Sequence, residues 1–453
     1  MTGARTAAPG LIDFGAPEPL SAAVPVDAAP LPHVVAWNLT RRCNLKCSHC
    51  YISAGPAHTA SGELDTETCF RVIDELLAVN PNPMLILSGG EPLLRDDLAE
   101  IAGHASAGGA TVVVGTNGTL LTDAKIGQLM AAGVSGVAVS VDSLRPSYHD
   151  NFRRGADALA DTVAALERMR RHHLDFIVQT SVTRGNAHEI SAILDWAAEQ
   201  GAVSFNCYFL VPTGRAERLA ELDAEAHEEL LAMLAEAEGR YRGTMMVRAK
   251  CAPHFIRLVH QANPESPVLN YQTRCPCGIQ YCRITPEGTL TPCPYLPTVA
   301  GDLKAQSFGD IWNNSPLFGE LRGRDHLGGK CGQCEYRMIC GGCRARAYAA
   351  TGDYLAEDPS CAYQPDGTRE VIARREVSYG AKVAPALRWS PAAEERLKKI
   401  PSFVRGVVVK RIEDFAKARG LSVIEPELLS EIRSAMPIDF SRRKPFFVRD
   451  ADA

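Results

Sequence analysis

Between residues 34 and 210 short apolar runs alternate with longer amphipathic ones. The short runs, at 34–40, 84–88, 111–116, 136–141, 175–183 and 203–210, are rich in Val, Ile and Leu and too short for helices. They read as strands buried on both faces. The stretches between them, at 67–79, 96–107, 123–132, 158–171 and 187–199, carry apolar residues at three- and four-residue spacing and read as amphipathic helices. Six strand–helix units in succession predict an α/β fold with a parallel sheet covered by helices. Right-handed crossovers curve such a sheet into a partial (β/α)6 barrel of the TIM type, here over residues 33–245. Ligands of these sheets sit at the carboxyl ends of the strands.

The pattern changes on either side. Residues 1–32 are rich in Ala and Pro, lack periodicity, and read as a flexible extension. A helical pattern runs from 219 to 239. Residues 246–365 are cysteine-rich, and 366–388 are a polar linker. From 389 to 453 the chain reads as a small helical domain, in which Pro401 breaks the first helix and Gly420 closes the second. Its Arg396, Lys398, Lys399, Arg405, Lys410 and Arg411 form a solvated face or, alternatively, a lid over a substrate with several carboxylates.

Composition narrows the function classes. Hydrophobic residues make up 46% and charged ones 22%, as in an ordinary globular protein. A net charge of −5 gives no reason to expect nucleic acid. No apolar run reaches the ~18 residues of a membrane helix, and no signal peptide is visible, so no membrane partner is expected. Fifteen cysteines, many in C-x2-C pairs, then indicate a reducing, cytoplasmic setting and metal binding rather than disulfides.

The chemistry concentrates at Cys43-Asn-Leu-Lys-Cys47-Ser-His-Cys50, directly after the first apolar run. A zinc site wants four protein ligands. Three thiols on one loop leave a vacancy, which suits a [4Fe–4S] cluster with one open iron, unless a distant fourth ligand closes a structural site. The second run, ending in Ser88, leads into Gly89-Gly90-Glu91-Pro92, a turn where backbone can approach a ligand closely. Together the two motifs resemble the radical S-adenosylmethionine superfamily. The resemblance implies that Gly89, Gly90 and Glu91 hold the methionine end of S-adenosylmethionine. It makes Asn117, Ser140 and Asp142 candidates for ribose and polar contacts, although Asn117-Gly118 reads equally as a plain turn. Arg153, or alternatively Arg154, would pair with the methionine carboxylate. His49 stands where the family places an aromatic beside the adenine.

The later cysteines resemble the SPASM extension, which carries two auxiliary [4Fe–4S] clusters. That resemblance implies one set of Cys277, Cys282, Cys293 and Cys343 and another of Cys331, Cys334, Cys340 and Cys361. Cys275 is left over and is an alternative to Cys277. A pair of zinc knuckles is the competing reading. Cys69 reads as a buried helix residue, Cys207 lies on the last barrel strand, and Cys251 with His254 is more often structural than a ligand pair.

Four stretches resemble one branch of the superfamily more closely: Trp37-Asn-Leu-Thr-Arg-Arg-Cys43, Phe209-Leu-Val-Pro-Thr-Gly-Arg215, Tyr281-Cys-Arg-Ile-Thr-Pro-Glu-Gly288, and Cys331-Gly-Gln-Cys-Glu-Tyr336 with Cys340-Gly-Gly-Cys-Arg-Ala-Arg346. That branch makes haem b by the sirohaem route and haem d1. Glu394-Glu-Arg-Leu-Lys-Lys-Ile-Pro-Ser-Phe-Val-Arg405 resembles a helical domain of light-independent protochlorophyllide reductase. These resemblances imply a radical enzyme that takes hydrogen from a side chain of an iron tetrapyrrole and releases carbon dioxide. A flavodoxin or ferredoxin would be its electron donor, and Arg215, Arg283, Arg344 and Arg346 would grip propionates. The alternatives are a peptide-modifying maturase that forms thioether or carbon–carbon crosslinks, and a non-enzymatic electron carrier.

Overall fold

The computed structural model of the chain describes residues 30–435 apart from 220, 267, 272–273, 324–325, 374–379, 381–382, 384, 399 and 401. Most of the expected flexible extension, Lys399 and the last eighteen residues lie outside the described residues. From residue 30 the chain is tied down. Trp312 Nε1 donates to the Pro30 carbonyl at 2.6 Å, and Asn80 Nδ2 to the Pro32 carbonyl at 3.1 Å.

Seven strands pair in parallel in sequence order: β1 (Val34–Asn38), β2 (Met84–Ser88), β3 (Thr111–Thr116), β4 (Gly136–Ser140), β5 (Phe176–Val182), β6 (Ser204–Phe209) and β7 (Met246–Lys250). Helices α1 (Thr66–Val79), α2 (Leu98–Ala107), α3 (Asp123–Ala131), α4 (Pro146–Arg153), α5 (Ala158–Arg171), α6 (Ile190–Gln200) and α7 (Ala224–Tyr241) lie in the crossovers. Local chemistry sets their ends. Asp65, Thr122 and Asp223 cap α1, α3 and α7 by accepting from Thr68 N, Lys125 N and Ala226 N. Gly201, at φ +83°, closes α6 in the left-handed conformation.

The period of two divides each strand between two environments. Val35, Trp37, Leu85, Leu87, Val112 and Val114 face the helices and are fully buried in the main core. The alternate residues face the barrel interior. At the strand starts these are Met84, Val113, Ala138, Ile177 and Met246, an apolar floor. At the strand ends they are Ser88, Ser140, Ser181, Tyr208 and Lys250, a polar mouth.

Four strands of this sheet were not expected from the sequence. β7 extends the sheet past the anticipated boundary at 245. β8 (Tyr281–Ile284) adds to the outer edge of β1, with Val35 opposite Cys282 and Ala36 opposite Arg283. Two short antiparallel strands, β9 (Thr289–Thr291) and β10 (Gly301–Asp302), continue from β8. Strand order runs β10-β9-β8-β1-β2-β3-β4-β5-β6-β7, so β7 is an edge and the barrel stays open between β7 and β8.

The C-terminal segment folds as three helices, Pro391–Lys398, Ser402–Ala418 and Pro426–Ala435, with a two-stranded parallel pair joining Arg388–Trp389 to Val423–Ile424. Trp389, Leu397, Ile412, Ala416 and Ile424 form its own core. Glu413 is buried there and accepts from Ala386 N, Leu387 N and Trp389 Nε1. The lid reading of its basic face is corrected by where it docks. Ser402 N donates to the Asn82 carbonyl, Asn80 Nδ2 donates to Ser402 Oγ at 3.0 Å, and Arg405 Nη2 donates to Asn82 Oδ1 at 2.6 Å. Asn80 and Asn82 precede β2, so this module lies at the amino ends of the strands, away from the mouth. Among the other basic residues, Arg396 donates to the Pro426 carbonyl and Lys410 pairs with Asp414.

Candidate active site

A cavity of about 410 Å³ fills the barrel interior. One end is the loop 43–50, which leaves β1 at its carboxyl end. Cys43, Cys47 and Cys50 gather there in one small cluster with Leu45, Ile52 and Ala54. Their sulfurs accept rather than donate. Leu45 N points at Cys43 Sγ at 3.4 Å, Ala54 N at Cys50 Sγ at 3.3 Å, and Arg153 Nη1 at Cys47 Sγ at 3.8 Å. Burial pushes the Cys43 thiol up to about 12 and raises that of Cys47. Only a positive centre would draw such thiols into the thiolate form at neutral pH.

The glycine turn after β2 lies directly on this loop. Gly90 N donates to the Thr40 carbonyl at 2.7 Å and Glu91 N to the Arg42 carbonyl at 2.8 Å. A Cβ on Gly90 would stand 2.2 Å from the Arg42 oxygen, and one on Gly89, at φ +146°, 2.5 Å from the Thr40 oxygen. Gly89 and Gly90 line the cavity. Glu91 does not. It is fully buried behind them, where its carboxylate accepts from Thr116 Oγ1 at 2.7 Å, Asn117 N at 2.9 Å and Leu93 N at 3.1 Å. Its expected contact with the cofactor is therefore corrected to a role in tying the end of β2 to the end of β3. Burial raises its pKa against those three donors.

Asn117 lines the cavity and also braces the loop, donating from Nδ2 to Asn44 Oδ1 at 2.9 Å. Ser140 lines the cavity as well. Asp142 is off it, fully buried, and accepts from Arg153 Nε and Nη2, both at 2.6 Å, and from Ser181 N at 2.8 Å. Burial opposes its charge, but Arg153 outweighs that and holds the carboxyl below the usual range. Arg153, not Arg154, is the inward residue; Arg154 is exposed in the left-handed cap of α4. His49 stacks on Phe152 with centroids 4.5 Å apart and planes 6° apart. Burial lowers its pKa to about 3, so its ring is neutral, and its Nδ1 has no partner among the described residues.

A second thiol group lines the same cavity. Cys277 lies within hydrogen-bonding reach of Cys275 and Cys293, and Cys251 and Cys343 stand beside them. Cys282 is not among them. On β8 the period of two turns it outward into the helix-facing core, fully buried opposite Val35. The expected set is corrected accordingly, with Cys275 standing beside Cys277 and Cys251 as a fifth thiol that the sequence reading set aside. A third group brings together Cys331, Cys334, Cys340 and Cys361. Their sulfurs also receive donors: Asp358 N to Cys331 and Tyr336 N to Cys334, both at 3.4 Å, and Gly342 N to Cys340 at 3.5 Å. All fifteen cysteines are free thiols. Among the described residues no three His, Cys, Asp or Glu side chains form a group suited to a single metal ion.

Three of the four arginines expected to grip a substrate are elsewhere. Arg344 donates to the Tyr354 and Ala356 carbonyls, and Arg346 to those of Cys251 and Leu210. Both are buried supports between thiol groups. Arg283 is buried against Asn38 Oδ1 at 2.6 Å and under the Tyr51 ring. Only Arg215 lines the cavity; its Nε donates to the Cys47 carbonyl at 2.7 Å, and its Nη2 has no partner among the described residues. The sequence reading missed Arg248, Lys250 and Arg274, which do line it. The alternation Met246, Arg248, Lys250 was the available signal, but it covers one short strand with two charges and does not look buried. Burial, then Arg248, lowers the Lys250 pKa to about 7. The cavity thus carries five basic side chains, Arg153, Arg215, Arg248, Lys250 and Arg274, and none of the described residues lining it is an Asp or Glu.

Comparison with known proteins places these features in families. Residues 37–197 match the radical SAM superfamily, 275–335 match an iron–sulfur cluster-binding domain, and 389–433 match the proto-chlorophyllide reductase 57 kD subunit. The AdoMet-dependent heme synthase of Methanosarcina barkeri is 41% identical over 343 residues, covering 74% of this chain and 97% of that protein. The pre-heme d1 synthase of Dinoroseobacter shibae is 31% identical, covering 72% of this chain and 85% of its own. In fold, SuiB of Streptococcus suis bound to S-adenosylmethionine matches with a TM-score of 0.59 at 16% identity, over 74% of this chain and 78% of SuiB.

Proposed function

This chain belongs to the radical S-adenosylmethionine superfamily, and we propose that it oxidatively removes carboxyl groups from side chains of an iron tetrapyrrole. The observation that carries the substrate is the cavity lining: Arg215, Arg248, Lys250 and Arg274 bring basic side chains to it and none of the described residues lining it is an Asp or Glu, whereas the charge of Arg153 is already met by Asp142. A molecule with several carboxylates neutralises such a surface. The relatives named as heme and pre-heme d1 synthases support the same substrate class.

The residues fit the groups this family binds. Three thiols receive N–H donors at one loop, and a glycine turn with no room for a Cβ lies against it. Cys43, Cys47 and Cys50 would hold one [4Fe–4S] cluster. Four of Cys251, Cys275, Cys277, Cys293 and Cys343 would hold a second, and Cys331, Cys334, Cys340 and Cys361 a third. When bound, the first cluster and S-adenosylmethionine supply a one-electron cleavage whose carbon radical takes hydrogen from an unactivated C–H bond.

The chain does the positioning. Gly89 and Gly90 let the backbone reach the methionine end of the cofactor. Arg153 and Arg215 flank Cys47, and Arg215 Nη2 is the better placed for the methionine carboxylate because Arg153 is held by Asp142. Neutral His49, backed by Phe152, offers a flat face to the adenine. The apolar floor keeps water from the reacting carbon. Loss of one hydrogen atom and one electron from a propionate arm leaves a vinyl group and carbon dioxide; the second thiol group lines the same cavity, and an oxidised iron–sulfur cluster held there would be the acceptor for that electron. A flavodoxin or ferredoxin in a reducing cytoplasm would deliver the starting electron.

Two variants test the thiol assignment. Replacing Cys277, Cys293 and Cys343 together by alanine leaves two of the five thiols and should lose about four irons per chain on anaerobic reconstitution, whereas Cys282→Ala should lose none and cost only ~1 kcal/mol of packing. Equal iron loss in both would restore the sequence-based set. The substrate class is tested by 5′-deoxyadenosine formation in reduced, reconstituted protein. Iron coproporphyrin III should stimulate it severalfold over the rate without substrate. A peptide that stimulates where the porphyrin does not would return the reading to a maturase.

A further inference from the structure

The open seam of the barrel carries its own recognition chemistry. β7 is an edge strand, hydrogen-bonded only to β6, and β8 is bonded to β1 and β9. The seam between β7 and β8 is therefore closed by side chains rather than by a ladder. Arg248 and Lys250 sit two residues apart on one face of β7, both lining the cavity. Arg274 lines it from the segment that leads into β8. The two lips are near neighbours, because Cys251, next to Lys250, stands beside Cys275, next to Arg274. Three basic side chains thus converge where the wall is incomplete, a set apart from Arg153 and Arg215, which touch the loop 43–50.

We propose that Arg248, Lys250 and Arg274 are the grip for the substrate's non-reacting carboxylates, and that they hold a planar, multiply carboxylated ring in the seam with its reacting arm toward the loop 43–50. This rests on the tetrapyrrole reading and adds to it the place and orientation of the substrate. Adjacent basic side chains on a half-buried strand face repel each other when charged, and a carboxylate between them offsets that repulsion and their partial loss of hydration. The residues that bind the cofactor and those that bind substrate are then separate sets within one cavity. The aromatic rings of Tyr208, Tyr281 and Tyr295, which also line the cavity, supply flat apolar surface between them.

The test uses the full chain, reconstituted and iron-counted, with binding read by absorbance titration. The probes are iron coproporphyrin III and its tetramethyl ester, which keeps the ring and removes the charges. Wild type should bind the acid at least about tenfold tighter than the ester. The R248Q/K250Q double variant, at wild-type iron content, should lose about tenfold or more for the acid and little for the ester. The charge-retaining R248K variant should stay within a few-fold of wild type for both and guards against a folding artefact. Unchanged acid affinity in the double variant overturns the seam grip while leaving the tetrapyrrole reading intact. Loss of about four irons in the double variant, with normal acid affinity for the remaining loaded protein, also overturns it, because the cations would then serve the neighbouring thiolates. Equal binding of acid and ester by wild type overturns the tetrapyrrole reading itself, and the grip with it.

Discussion

Replacing Cys47 by alanine abolishes S-adenosylmethionine cleavage in the reconstituted protein while leaving about eight of roughly twelve irons in place. Cys47 is the thiol toward which the site's charges are directed. Arg153 Nη1 lies 3.8 Å from its sulfur, Arg215 Nε holds its carbonyl, and Asp142 fixes Arg153 from behind. No other cysteine lies in that small cluster to take its place beside Cys43 and Cys50. The two remaining thiol groups draw on residues from 251 onward and share no ligand with this loop, so their iron should persist. The check is iron per chain together with 5′-deoxyadenosine yield under dithionite. Loss of all the iron would mean that the three groups assemble as one unit. Retained cleavage would mean that the loop 43–50 is not where the cofactor reacts.

Gly90→Ala should be nearly as damaging, although it removes nothing. The new Cβ would stand 2.2 Å from the Arg42 oxygen and 2.8 Å from its carbonyl carbon. Both are backbone atoms in a segment pinned by the Glu91 N–H at 2.8 Å, so no side chain can swing away. Either the glycine turn or the cysteine loop must shift, at a cost of about 3 kcal/mol. The expected result is a chain that folds, keeps the iron of the other two groups, and fails to load or use the first cluster. Gly127→Ala is the matched control. It lies in helix α3, its Cβ would meet nothing within 4 Å, and it should be neutral or stabilising by about 0.5–1 kcal/mol. A normal first cluster in Gly90→Ala would show that the close approach is not required.

Much of this arrangement was legible in the sequence because the period of two is strong. Each of the six anticipated strands formed within two residues of its expected ends, since runs such as 111–116, centred on three valines, are short and flanked by clear helical patterns. β7 and β8 escaped because their inward faces are charged or aromatic: Arg248 and Lys250 on one, Tyr281 and Arg283 on the other. The same alternation explains Cys282. Counting cysteines groups it with Cys277, but strand geometry turns it to the opposite face. Glu91 and Asp142 were found as strand-end carboxylates; that they point away from the cavity to brace Asn117 and Arg153 depends on tertiary contacts with no local signature. The docking of the C-terminal module through Ser402 and Arg405 was equally invisible, because a helix pattern does not say which surface it meets.

Whether this cavity takes carbon dioxide from a carboxylated iron tetrapyrrole is read out by mass spectrometry of the porphyrin after anaerobic turnover. Wild-type protein with S-adenosylmethionine, reductant and iron coproporphyrin III should convert the substrate to species lighter by one and then two units of carbon dioxide plus two hydrogens, with 5′-deoxyadenosine formed in step. Abundant 5′-deoxyadenosine with every porphyrin mass unchanged would contradict the account.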